Sequence, residues 1–74
     1  MKLPRVTGDK VVKALKRAGF VEIRMRGSHC YLYHSEKDRL VTVPVHAGKI
    51  IALKTLKSVL KQAEMSIEEF KELL

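Results

Sequence analysis

Gly27-Ser28-His29 is the segment of this chain best composed for chemistry, and Arg24 and Arg26 stand just upstream of it. Glycine removes the side chain that would hold a ligand backbone away, serine offers a hydroxyl and an N–H to an anion, and histidine exchanges a proton near neutral pH. The two guanidinium groups can grip phosphate oxygens bidentately. The grouping suits attack on a phosphodiester. Residues 1–63 hold only Asp9, Glu22, Glu36 and Asp38 as carboxylates, scattered over helix start, strand and turn, which is poor material for a two-metal nuclease. RNA needs no metal, because its 2′-OH is a built-in nucleophile. A histidine that removes that proton leaves a 2′,3′-cyclic phosphate and a 5′-OH. The competing reading makes Gly27-Ser28 merely a hairpin or bulge and His29 a solvated strand residue, and spacing alone leaves it open.

The other reactive side chains are weaker candidates. His46 follows Pro44 in a loop, where it could orient substrate or protonate the leaving 5′-oxygen, or simply be solvated. His34 falls on the opposite strand face from His29 and reads as an edge or surface residue. A zinc site from His29, Cys30, His34 and His46 is poorly arranged, since alternation points adjacent ligands apart; no metal or other cofactor is expected. Tyr31 and Tyr33 share the His29 face and suit either base stacking or cross-strand packing. Cys30 reads as a small core residue.

These residues must be positioned by a small set of elements. Val11, Leu15 and Ala18 recur at helical spacing after Thr7 and Asp9, and Gly19 supplies a left-handed stop, so a helix is expected over about Gly8 to Ala18. From Phe20 to Met25 the period becomes two, with Val21, Ile23 and Met25 expected on a buried face and Glu22, Arg24 and Arg26 mainly on the other. His29 to His34 is a second strand, Ser35 to Asp38 a hairpin loop, and Leu40 to Val45 a third strand. Leu53, Leu56, Leu60 and Ala63 mark a second helix from about Lys49, and its far side carries Lys54, Lys57 and Lys61. Ser66 with Glu69 forms a capping box, and Met65 with Phe70 a hydrophobic staple, for a short acidic last helix. Two helices over one face of an antiparallel meander make an α+β two-layer sandwich, and its αβββα order is also that of the double-stranded-RNA-binding fold.

Composition agrees with a folded chain: of 74 residues 46% are hydrophobic and 31% charged, enough for one domain over residues 1–74. The formal net charge is +7, while Glu64, Glu68, Glu69 and Glu72 against Lys71 put −3 on residues 64–74, which leaves +10 on residues 1–63. Such a field draws polyanions, and nucleic acid is the commonest. Cys30 is the only cysteine, and no apolar stretch follows Met1 to Arg5 or is long enough to span a bilayer. Those features point to a reducing, cytoplasmic location without a membrane.

The segments Lys10 to Phe20, Arg26-Gly27-Ser28-His29, Val43-Pro44-Val45-His46, Leu53 to Ala63 and Ser66 to Phe70 together resemble the HicA family of toxins from toxin–antitoxin pairs. The resemblance covers nearly the whole chain in order. It implies a metal-independent mRNA interferase on a fold similar to the double-stranded-RNA-binding domain, neutralised by a HicB-type antitoxin, with His29 as the catalytic residue. Arg24, Arg26, Gly27, Ser28, Lys54, Lys57 and Lys61 would then bind the RNA. The chain departs from the family pattern at Lys54-Thr55-Leu56, where Gly-Thr-Leu is frequent, and at Gln62-Ala63-Glu64, where a helix-stop glycine is frequent. The alternatives are a non-catalytic RNA-binding module of the same fold and a protein-interaction domain with a basic surface.

Overall fold

The computed structural model describes residues 3–74, so the charged start at Met1 and Lys2 lies outside the described residues. The order is α1 (Gly8–Arg17), β1 (Val21–Arg26), β2 (His29–His34), β3 (Arg39–Pro44), α2 (Leu53–Ala63) and α3 (Ile67–Leu73). The architecture is α+β with the αβββα layout and an added short helix.

In α1 the buried Val11, Val12, Ala14 and Leu15 alternate with exposed Lys10, Lys13, Lys16 and Arg17, which sets the face that packs. Thr7 occupies the N-cap, but its hydroxyl makes no capping bond to the helix. It lies instead beside the Asp9 carboxyl and is the main cause that holds that group below its ordinary value. At the other end Gly19 takes φ +103°. The Gly19 N–H then bonds to the Lys16 carbonyl and the Phe20 N–H to that of Leu15, which is a Schellman stop. Helix α2 ends the same way, with bonds from Glu64 to Lys61 and from Met65 to Leu60, except that Glu64 must adopt the left-handed position at φ 53°.

The strands form an antiparallel meander in the order β1-β2-β3. Cys30, Leu32, Val41 and Val43 point at the helices and are almost wholly buried, joined in one core by Leu15, Leu56, Val59 and Phe70. Met65 and Phe70 are both in that core, and the capping box between Ser66 and Glu69 is complete.

Three expectations need correction. Strand β1 is exposed along its whole length, with Val21 63%, Ile23 57% and Met25 50% accessible, because α1 and α2 pack over β3 and leave β1 projecting at the edge. The alternation also breaks. Glu22 pairs with Leu32 and Arg24 with Tyr31, so Ile23 is an unpaired bulge residue, and Val21 shares a face with Arg24 and Arg26 while Met25 joins Glu22. Helix α2 begins at Leu53, since the backbone before it is used elsewhere: the Ile51 N–H bonds to the Val6 carbonyl, Ile50 bridges Thr7, and Gly48 turns at φ 73°. The β2 strand, finally, is central, so His34 is no edge residue. Its ring packs on Phe20 at 5.0 Å between centroids, and its Nδ1 accepts the Lys37 N–H.

Candidate nucleic-acid interface

The Gly27-Ser28 pair closes a two-residue hairpin between Arg26 and His29, which face each other across the strands. Gly27 has φ 59° and Ser28 is not left-handed, the pattern of a type II′ turn, which asks for glycine at its first central position. Nothing lies within 4 Å of where a Cβ on Gly27 would stand, so the glycine serves the backbone angle and leaves the turn open to solvent.

Long-range contacts hold this turn. The Val45 N–H bonds to the Ser28 carbonyl at 2.6 Å, and Pro44 pairs with His29. Gly8, buried at the first position of α1, sits so close to the end of β3 that a Cβ there would stand 2.3 Å from the Pro44 carbonyl oxygen. Sequence reasoning missed this role of Gly8. A glycine at a helix start where alanine would serve as well was the available signal.

His29 is exposed and lies on the sheet face away from the helices. The cross-strand ladder on that face reads Arg26–His29–Pro44, then Arg24–Tyr31–Thr42, then Val21–Tyr33–Leu40. None of these nine positions carries a carboxylate. Glu22 is on the helix side, paired with Lys16 at 3.3 Å. Asp38, in the loop at the far end, accepts the Tyr33 hydroxyl at 2.6 Å, and that bond is the main cause that raises the phenol above its ordinary value. Arg24, Arg26, Gly27, Ser28 and His29 are thus brought together.

His46 follows Pro44 by two residues at the same end of the sheet and is exposed beside Lys49 and Thr55 on the rim of a shallow cleft. Lys54, Lys57 and Lys61 are exposed on the solvent side of α2, in the helix layer, and are not gathered to His29. Cys30 lies in the core, where burial raises its thiol above the ordinary value. Among the described residues no three His, Cys, Asp or Glu side chains form a metal-binding group. A second residue missed from sequence is Gln62. Its side-chain oxygen accepts the Thr42 N–H and its carbonyl accepts from Arg39, which closes the β3 edge of the sheet.

On this small α+β fold one sheet face is uncovered by helices, cationic and aromatic, with an exposed hairpin histidine at its end, a surface whose charge favours an anionic ligand. Residues 8–65 match the family model of the HicA toxin of bacterial toxin-antitoxin systems, and the chain belongs to that family. No curated protein matches it. It is therefore the toxin component of such a system, with an antitoxin as its partner. Among the described residues no helix is long and apolar enough to cross a membrane.

Proposed function

We propose that this toxin is a metal-independent endoribonuclease that cleaves mRNA in the cytoplasm, as one domain formed by its 74 residues. His29 takes the proton of a 2′-OH, the 2′-oxygen attacks phosphorus, and the bond from phosphorus to the 5′-oxygen breaks. The leaving 5′-oxygen takes a proton from water or from His46, and the products are a 2′,3′-cyclic phosphate and a 5′-OH. Arg24 and Arg26 neutralise the charge that builds on the phosphoryl oxygens, with Gly27 and Ser28 admitting the backbone. Lys54, Lys57 and Lys61 bind the flanking strand electrostatically, and a HicB-type antitoxin inhibits by covering the site.

The observation that carries this reading is that an exposed histidine lies directly across from Arg26 on a sheet face whose paired positions hold no carboxylate. A carboxylate there would repel the phosphate and compete for both guanidinium groups. The test is cleavage of a labelled RNA in EDTA by the wild type and by His29→Ala. General-base catalysis contributes about 10²- to 10⁴-fold, so the variant should lose most of its rate while it still folds and binds RNA. Equal cutting by the two proteins would remove His29 from the mechanism. Binding without cutting by the wild type would make the chain a non-catalytic RNA-binding module.

A further inference from the structure

We propose that the open sheet face carries a nucleobase subsite for single-stranded RNA, in which a base stacks on Tyr31 between Arg24 and Thr42, one nucleotide step from the phosphate held at His29. This rests on the RNA-cleaving reading and adds to it a substrate form and a recognition residue.

The open face of an antiparallel sheet ordinarily carries polar side chains for solvent. Here its central strand presents Tyr31 and Tyr33, both only half-buried. They are not equivalent. The Tyr33 hydroxyl is tied to Asp38, which fixes that ring as part of the second hairpin. The Tyr31 hydroxyl makes no hydrogen bond among the described residues, and its two cross-strand neighbours are a cation, Arg24, and a small polar residue, Thr42. A half-buried aromatic ring flanked by a guanidinium on a face that no helix covers meets both needs of a sequence-tolerant single-strand site, a π-face for the base and a positive charge for the backbone.

The spacing fits the proposed chemistry. Residues two apart on a strand share a face and lie about 7 Å apart along it, so Tyr31 is about one step of an extended polynucleotide from His29. Among the described residues the one carboxylate bonded to this side of the sheet, that of Asp38, is engaged by Tyr33, two residues along β2 from Tyr31. Bases inside a duplex are stacked on one another and cannot lie on a protein ring, so this face selects unpaired RNA. The alternative occupant is a protein segment. A segment would fit only by bringing its own carboxylates to Arg24 and Arg26, as the antitoxin proposed to cover this face must, and it would leave the Tyr31 ring without the stacking partner that a base supplies.

The experiment compares Tyr31→Phe, Tyr31→Leu and Tyr31→Ala with the wild type, all in EDTA. One readout is KM and kcat on a single-stranded RNA. The other is binding of a 2′-O-methyl oligonucleotide, which lacks the nucleophile and cannot be cut. Tyr31→Phe keeps the ring and should match the wild type on both. Tyr31→Leu and Tyr31→Ala should raise KM and weaken oligonucleotide binding by about 5- to 150-fold, the range for one lost base stack, with kcat nearly unchanged. The same RNA annealed to its complement should resist cleavage. Should Tyr31→Ala fail to fold, the Leu and Phe variants still decide, since leucine keeps apolar volume at a half-buried position.

Wild-type-like binding by Tyr31→Leu would overturn the subsite, as would a fall in kcat with KM unmoved. Loss of antitoxin binding with RNA binding intact would also overturn it, since Tyr31 would then serve the antitoxin and not the RNA. The two readings fail separately. If the wild type cuts nothing but binds the 2′-O-methyl oligonucleotide through Tyr31, the nuclease reading falls and the subsite stands.

Discussion

Gly8→Ala tests whether the hairpin proposed to carry the chemistry is held by the packing of α1 against the end of β3. Two effects oppose each other. Alanine favours a helix over glycine by at most about 1 kcal/mol, and less at a first helical position that makes few helix bonds. Against that, the new methyl would stand 2.3 Å from the Pro44 carbonyl oxygen and 2.9 Å from the Val45 Cα, both backbone atoms that cannot rotate away. Relieving such a clash shifts packed backbone, which costs about 1–3 kcal/mol. The clash should win, with a net loss of about 1–2 kcal/mol. For a domain of this size each kcal/mol moves Tm by about 4–8 °C, so a fall of roughly 4–16 °C is expected in thermal unfolding. Because Pro44 pairs with His29 and Val45 bonds to Ser28, RNA cleavage measured well below Tm should fall as well. Gly48→Ala is the control: its φ of 73° strains alanine, but nothing lies within 4 Å, so it should cost stability without disturbing cleavage. An unchanged or raised Tm for Gly8→Ala would refute the steric argument. A lowered Tm with wild-type cleavage would show that the contact stabilises the fold but does not position the site.

Glu64→Gly should stabilise the protein by about 0.5–1 kcal/mol in urea unfolding, since it relieves a left-handed glutamate at φ 53° and gives up only an exposed pair with Arg39 at 3.4 Å. Ser66→Ala removes the N-cap of α3 and should cost about 1 kcal/mol with cleavage intact. The Ser66 backbone N–H, bonded to the Glu69 carboxylate, holds that carboxyl below its ordinary 4.5. A depressed carboxyl stabilises the fold fully above 4.5 and loses its contribution as pH falls through the lower folded value, so Glu69→Gln should flatten the acid limb of a Tm–pH profile. Lys57→Glu with Lys61→Glu, both exposed on α2, should weaken RNA binding and flatten its salt dependence, which runs at about −0.7 in the log–log slope per phosphate contact on single strands.

What could be read from the residues was local. The Gly19 stop, the Ser66–Glu69 box and the alternation of β2 each depend on neighbours within a few positions, and the last of these already set His29, Tyr31 and Tyr33 opposite Cys30 and Leu32. What could not be read depended on distant partners. Ile23 bulges without a glycine or proline to announce it, and the break moves Met25 to the helix side and leaves Val21 with the arginines. The pattern of Val21, Ile23 and Met25 looks half-buried because alternation reports which face a residue is on, not whether a helix covers that face. Ile50 and Ile51 fit helical spacing ahead of Leu53, yet their backbone pairs with residues 6 and 7, a contact made across more than forty residues. Gly8 and Gln62 are silent for the same reason.

The division of the sheet into a covered and an open face separates stability from the proposed chemistry. Cys30, Leu32, Val41 and Val43 supply the strands' share of the core, while on the other face Arg24, Arg26 and His29 are exposed and Tyr31 is half-buried. An exposed side chain on that face can therefore change without opening a cavity, and losses of activity at Arg24, Arg26 or His29 should appear with Tm almost unmoved. The exceptions are the points where the two faces are mechanically joined, Gly8 against Pro44 and Val45 against Ser28. The same layering bears on control. A partner that inhibits by occlusion has only to cover an exposed face and need not distort the core. To do so tightly it must satisfy Arg24 and Arg26, because a guanidinium buried without an acceptor costs more than the apolar contact around it returns. A neutralising antitoxin should thus place carboxylates over these two residues, where the scissile phosphate would otherwise lie, and RNA and antitoxin should compete for the toxin.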